Sequence, residues 1–415
     1  MQKFKLGTFA QNVSKIFGVK TLVLILGLFS SIVSARVLGP EGKGIYAVAT
    51  ALTGIGVQFG NLGMHSSNTY FLAKDKKILP AIVGNSMLIT LLVTIVTGGV
   101  LIVMFLFPDL VTVHGFVLVL AMSFIPLQLY NMFQENYFVA LDKIKQYSIL
   151  EMLNGAVYPI LLLVVAFANV ETLSPEIAIV LSIFSTGVVL ITGWRYLKKE
   201  MHEKVCVDRN LLRKTVPFGF KSYVSCLLTY LVLRVDVLML DSFLNKSETG
   251  LYSLAVNLAD IVNMIAVSVS MLLFPKLSGM SEKEEKRKFI GKTLKYMAII
   301  MFVLVVGATI FSEMGVLLVY GEAYRPSIPV FKILMPGIFF WALSSLLFNY
   351  YSSENRIGVN IVAAFIGLVV NFVLNGFLIP RNGICGAAIA STIAYVIIFI
   401  ILIICLKKGV DNEKS

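Results

Sequence analysis

Apolar residues fill this chain in long runs, and polar or charged residues gather in the short breaks between them. The runs cover about 14–36, 44–70, 79–107, 115–139, 147–168, 175–197, 215–241, 250–274, 291–312, 327–352, 358–379 and 384–406. Each approaches or exceeds the roughly 20 residues that carry a helix across a hydrocarbon core. The pattern predicts an all-α polytopic membrane protein with twelve transmembrane helices, the longer ones tilted or extending beyond the bilayer. The first run ends in Val33-Ser34-Ala35, which looks like a signal-peptide cleavage site. Its counterpart in the second half, Val224 to Leu240, is internal, so a retained helix is expected.

The breaks repeat. Gly44-Ile45-Tyr46-Ala47-Val48-Ala49 returns 206 residues later (44 to 250) as Gly250-Leu251-Tyr252-Ser253-Leu254-Ala255. Phe17-Gly18-Val19-Lys20 returns as Phe218-Gly219-Phe220-Lys221, and Val83-Gly84 as Ile290-Gly291. Asn136-Tyr137-Phe138, followed by Asp142-Lys143-Ile144, returns as Asn349-Tyr350-Tyr351, followed by Asn355-Arg356-Ile357. The matches keep their order, as a tandem duplication would. The predicted lobes are residues 1–200 and 215–415, six spans each, joined by a cytoplasmic linker at 201–214. Six is even, so both copies enter the membrane from the same side, as two parallel repeats about an axis along the membrane normal. Secondary transporters are built this way, with the site between the halves near the midplane. Leu38 to Lys43 is expected to be a short polar hinge, and Lys198 to Lys214 and Ser278 to Lys288 solvated linkers.

Composition agrees with the runs: 58% hydrophobic, 14% charged, with a mean hydropathy of +0.87, too apolar for a soluble fold. The net charge of +12 is placed by topology. Most basic residues fall on one side, including Lys74, Lys76, Lys77, Arg195 to Lys214, Lys276 to Lys295 and Arg356, while Arg36, Lys43, Lys246, Arg325 and Arg381 fall on the other. The positive-inside rule then puts both termini in the cytoplasm. The expected partner of this basicity is anionic phospholipid, not nucleic acid. Cys206, Cys226, Cys385 and Cys405 form no CxxC, and His65, His114 and His202 lie far apart. No metal site, disulfide framework or catalytic residue is predicted.

Polar residues inside the spans fall in helical stripes: Gln58, Asn61 and His65; Gln128, Asn131 and Glu135; Glu151, Asn154 and Tyr158; Ser253, Asn257 and Asp260; Ser345 and Asn349; Asn360, Asn371 and Asn375. Single amides of this kind often just join helices; together the stripes point to a water-filled central cavity. Charges within spans are costly and mark function by default. The cations are Lys20, Lys221, Arg234 and Lys332, and the anions Glu135, Glu151, Asp236 and Asp260. Snorkelling anchors are the simpler reading of the lysines. Arg234 and Asp236 lie about 200° apart on a helix and should not pair.

The RVLGPEGKG-Y element at Arg36 to Tyr46, echoed by LDSFLNKSETGLYS at Leu240 to Ser253, resembles the bacterial polysaccharide transporter family. These are O-antigen-type flippases of the superfamily that includes the multidrug-and-toxin extrusion transporters and the lipid II flippase. The resemblance spans the chain. It implies a V-shaped cavity working by alternating access in the bacterial cytoplasmic membrane. The substrate would be a polyprenyl-diphosphate-linked oligosaccharide for surface polysaccharide, O-antigen, capsule or exopolysaccharide, and partners would include other polysaccharide-assembly proteins. No cofactor is implied; proton or sodium-ion coupling is an open question. Substrate-binding candidates are Lys20, Lys221, Arg234, Lys332, Gln128, Asn131, Asn257 and Asn349; coupling-ion candidates are Glu135, Glu151, Asp236 and Asp260. The lipid II flippase relies on arginines in its first helix, and Lys20 stands in an otherwise apolar first span here, so that site does not carry over. The alternatives are a multidrug or small-solute exporter of the same fold and an integral membrane polysaccharide polymerase, which usually carries a large extracytoplasmic loop. A major-facilitator transporter would show a Gly/Asp/Arg signature where Ala73-Lys74-Asp75-Lys76-Lys77 stands.

Overall fold

The structure is a computed structural model. It describes residues 6–108, 112–113, 115–168, 173–280 and 282–414, without the side chains of 6–17, 19–21, 24, 271–272, 275 and 408–414. Among these residues the elements are helices: α1 (Leu6–Asn61), α2 (Met64–Lys74), α3 (Leu79–Leu106), α4 (Gly115–Ala140), α5 (Ile144–Ala168), α6 (Pro175–Glu200), α7 (Arg209–Phe243), α8 (Lys246–Ser278), α9 (Lys283–Tyr320), α10 (Ser327–Ser353) and α11 (Ile357–Lys414), with two single 3-10 turns. Nine of the described helices are long and apolar enough to cross a membrane, ten when α1 from Ile25 and α2, bent by 49°, count as one span. Their outward faces are apolar: Phe167, Ile310, Phe311 and Leu318 are all exposed. In water such a surface would aggregate; in lipid it is the solvated face.

Expected hinges shrink to single residues. The break at Leu38 to Lys43 is one non-helical glycine, Gly39 (φ 66°), inside α1. Pro40 follows it, where a helix can restart without a missing donor. Gly383 (φ 56°) breaks α11 in the same way. The run at 44–70 is not one straight helix, because Leu62 and Gly63 take positive φ and separate α1 from α2. The two turns matched in the sequence are alike in structure. Asp142 (φ 59°) and Asn355 (φ 57°) both adopt the left-handed conformation. The amides of Lys143 and Arg356 donate to the carbonyls of Phe138 and Tyr351, each at 2.8 Å.

The chain divides into two compact units: Met1–Leu38 with Val48–Val224, and Gly39–Ala47 with Ser225–Ser415. In the second unit the repeated glycines explain themselves. A side chain on Gly44 would collide with the carbonyl of Lys246, and one on Gly250 with the carbonyl of Pro40. Each glycine therefore meets the residue four before the other, a reciprocal contact of two helix backbones. In the first unit Gly63 and Gly219 meet in the same way, each facing the other's carbonyl. Around that contact Phe218 stacks on Tyr70 at 4.4 Å and the Tyr223 hydroxyl donates to the Phe59 carbonyl at 3.4 Å.

The stretch expected to be a solvated linker is docked. Asn85 on α3 donates to the Asp208 carbonyl and accepts from the Asp208 amide, both at 3.0 Å. Gly84 admits the backbone of Cys206, whose amide donates to the Pro80 carbonyl at 3.4 Å. Charged composition pointed to solvent, and the side chains of 202–207 are exposed, while three backbone groups take partners on α3. The expected linker from Ser278 to Lys288 is likewise mostly helix, since α9 starts at Lys283. Lys286 there forms a 2.7 Å ion pair with Glu354, with the two side chains only 11% and 10% exposed.

Candidate functional site

In the first unit the candidate polar residues lie on α1, α4, α5 and α7. Asn131 on α4 is buried and donates to Glu135 one turn on at 3.1 Å; its own carbonyl oxygen has no partner. Gln128, half-buried, reaches the Thr186 hydroxyl on α6 at 3.5 Å. On α5 the Tyr147 hydroxyl donates to Glu151 at 2.6 Å. Lys221, on α7 two residues after Gly219, is exposed. Lys20 lies on α1, but its side chain is outside the described residues, as is the whole of His114.

The second unit holds the tighter cluster. Asp236 on α7 is buried, and its carboxylate is the hub of contacts from three helices. The Tyr252 hydroxyl on α8 donates to it in a short hydrogen bond, the Ser391 hydroxyl on α11 donates at 3.1 Å, and the Val237 amide donates at 2.8 Å. Behind Ser391, Asn371 donates to its hydroxyl at 3.1 Å and Asn375 donates to Asn371 at 2.9 Å. The Asn375 carbonyl oxygen ends this chain buried and without a partner. Such a network is stable only when its members are satisfied; here the Asp236 carboxylate is satisfied, and the orphaned oxygen lies three hydrogen bonds away at Asn375.

Arg234, two residues before that hub in the chain, pairs with Asp260 on α8 at 2.9 Å and not with Asp236. Helical geometry had separated those two side chains, and the structure agrees. Asn257 is half-buried, with no side-chain hydrogen bond among the described residues; Asn349 donates to the Ser345 carbonyl of its own helix at 2.9 Å. Lys332 on α10 stands apart, exposed beside a groove walled by α9 and α10.

The stripes therefore divide. Asn360, Asn371 and Asn375 are buried and spend their donors inside the second unit. Asn360 joins α11 to α10, as single amides usually do; Asn371 reaches across the Gly383 break to Ser391, and Asn375 donates to Asn371 one turn away. Sequence reasoning missed Tyr252 and Ser391 as partners of Asp236. Tyr252 was visible as part of the repeated Gly-x-Tyr element, but nothing in the sequence marked Ser391.

Apolar outward faces, polar interiors and breaks at glycine define a multi-pass membrane protein. The chain belongs to the polysaccharide biosynthesis protein family, whose model matches residues 9–281. It is 24% identical over 214 residues to a probable low-salt glycan biosynthesis flippase of Haloferax volcanii, covering 51% of this chain and 45% of that protein. The chain thus spans about half the length of that relative. A capsular polysaccharide biosynthesis protein of Staphylococcus aureus is 22% identical over 395 residues, covering 92% of this chain and 96% of the relative. In fold the chain is similar to the lipid II flippase in an inward closed conformation, with a TM-score of 0.74 at 16% identity, covering 94% of this chain and 87% of the other.

Proposed function

We propose that the protein is a flippase that carries a polyprenyl-diphosphate-linked oligosaccharide from the inner to the outer leaflet of a bacterial cytoplasmic membrane. The observation that carries this reading is the family match, joined by a relative described as a glycan flippase and another described as a capsular polysaccharide biosynthesis protein. The proposed topology is twelve spans in two parallel six-helix lobes (1–200 and 215–415), with both termini in the cytoplasm. The reciprocal Gly44 and Gly250 contacts and the matched turns at Asp142 and Asn355 support the duplication. The glycine breaks at Gly39 and Gly383 support reading α1 and α11 as two spans each.

Lys20 and Lys221 would meet the diphosphate as flexible point charges able to release it. Gln128, Asn131, Asn257 and Asn349, together with Arg234, would face the sugars with groups that hydrogen-bond hydroxyls. Asp236 is the favoured coupling site, for a proton or a sodium ion, because its buried carboxylate gathers hydrogen bonds from three helices and forms no ion pair among the described residues; Asp260 is paired with Arg234, and Glu135 and Glu151 remain further candidates. Lys332 is not in the substrate set, since its surroundings are an apolar groove.

A deletion strain tests the class. It is expected to keep making lipid-linked repeat units and to accumulate them on the cytoplasmic leaflet. A strain that stopped making the units would point to a synthetic enzyme. Replacing Lys20→Gln and Lys221→Gln together should reproduce the accumulation at normal expression, and undiminished surface glycan in that double variant would leave the lysines as anchors only.

A further inference from the structure

We infer that the groove between α9 and α10 is the seat of one anionic phospholipid, its acyl chain lying in the groove and its phosphate on Lys332. The groove is walled by Phe302, Val305, Val306 and Ile310 of α9 and by Pro336, Phe339 and Phe340 of α10. Two polar side chains border it, Thr309 and Lys332. The Thr309 hydroxyl is turned back onto the Val305 carbonyl of its own helix at 2.7 Å. Lys332 is left as the lone charge on an apolar, outward-facing wall, where an ammonium is costly.

The acidic groups at this end of the two helices do not relieve it. Glu313 and Glu322 are both taken by Arg325, at 3.1 and 2.8 Å. Among the described residues Lys332 has no ion pair or side-chain hydrogen bond. It lies five residues into α10, about 8 Å below the helix start at 1.5 Å per residue. A lysine stem reaches up from that depth to the interface, where lipid phosphates sit. Charge complementarity therefore calls for an anion with an apolar tail.

The groove holds about 470 Å³, room on the order of one tail lying along it. The anion with an apolar tail that surrounds every face of a membrane protein is a bilayer phospholipid, and a polyprenyl phosphate is its competitor. A headgroup of net negative charge fits best, because a zwitterionic one brings its own cation to Lys332. This inference needs only the membrane setting and stands whether or not the flippase reading does.

Native mass spectrometry of the purified full chain with defined lipids tests it. The parent should hold one phosphatidylglycerol with about fivefold preference over phosphatidylcholine, the weight of one lysine near a lipid surface. Lys332→Gln should lose the preference while binding both lipids weakly. Val306→Trp, which fills the groove and keeps the cation, should lower occupancy by either lipid at least tenfold, as an estimate from blocking the one seat. A Lys332→Gln protein with the parent's preference would overturn the assignment, as would unchanged binding in Val306→Trp. Stoichiometric displacement of phosphatidylglycerol by polyprenyl phosphate would show a different occupant and overturn it too.

Discussion

The two units hold their carboxylates in opposite ways. In the first, Glu135 and Glu151 are half-buried and each takes a hydrogen bond from a residue four positions earlier on its own helix, Asn131 and Tyr147. In the second, Asp236 is buried and its donors come from α8 and α11 as well as its own backbone, while Asp260 is matched by a guanidinium from α7. A hydrogen bond made within one helix places no demand on the position of another. One served by three helices ties their positions to its charge. That is the property a coupling site needs, because gain or loss of a proton or cation at Asp236 would alter contacts on every helix that touches it.

The sharpest way to break this contrast is to delete each hub. Asp236→Ala leaves the Tyr252 and Ser391 hydroxyls buried without their acceptor, at a cost of about 3 kcal/mol. Glu135→Ala leaves the one amide donor of Asn131 without its acceptor and should cost about 1 kcal/mol. Thermal unfolding in detergent measures both. Equal losses would mean that burial and helix count do not separate the units. Asp236→Asn sharpens the test, since it keeps size and loses charge. A folded Asn variant that no longer moves lipid-linked glycan would mark coupling as the role, whereas full transport would confine Asp236 to structure.

The contrast also explains what could be read in advance. Periodicity placed most helices closely: the runs at 79–107 and 115–139 became Leu79–Leu106 and Gly115–Ala140. The Asn131 and Glu135 pair was legible because helical spacing alone fixes it. The Gly-x-Tyr repeat was legible as a pattern, but its reason, two glycines admitting each other's backbone, needs the packing. Ser391 lies 155 residues from Asp236, and the register of α11 against α7 has no local signal. The break at Leu62 was hidden for a different reason. Leucine rarely takes a positive φ, so nothing local in the sequence marks the break; Gly63 beside it also takes a positive φ and packs against the Gly219 carbonyl.

A smaller effect is expected at the Arg234 and Asp260 pair. The side chains are 29% and 38% exposed, so solvent screens part of their attraction. Arg234→Met alone should cost about 1–2 kcal/mol by leaving a partly buried carboxylate uncompensated. Adding Asp260→Leu should recover part of that loss, giving a coupling energy of about 1 kcal/mol in a double-mutant cycle. Strict additivity would show that the two charges do not feel each other, and that Arg234 is neutralised elsewhere.

The smallest effect should come from Tyr147→Phe. It removes the 2.6 Å hydrogen bond to Glu151 and keeps the buried ring. Glu151 is only half-buried, so water can replace the lost donor. The net worth of one such bond is about 1 kcal/mol, and replacement by water should bring the measured loss below that. The bond lies within one helix, so transport should be unchanged within error in vesicles reconstituted with matched amounts of protein. A loss as large as that in Asp236→Ala would place Glu151 at a hub of its own. The first unit would then carry a second coupling group, and the asymmetry between the units would fall.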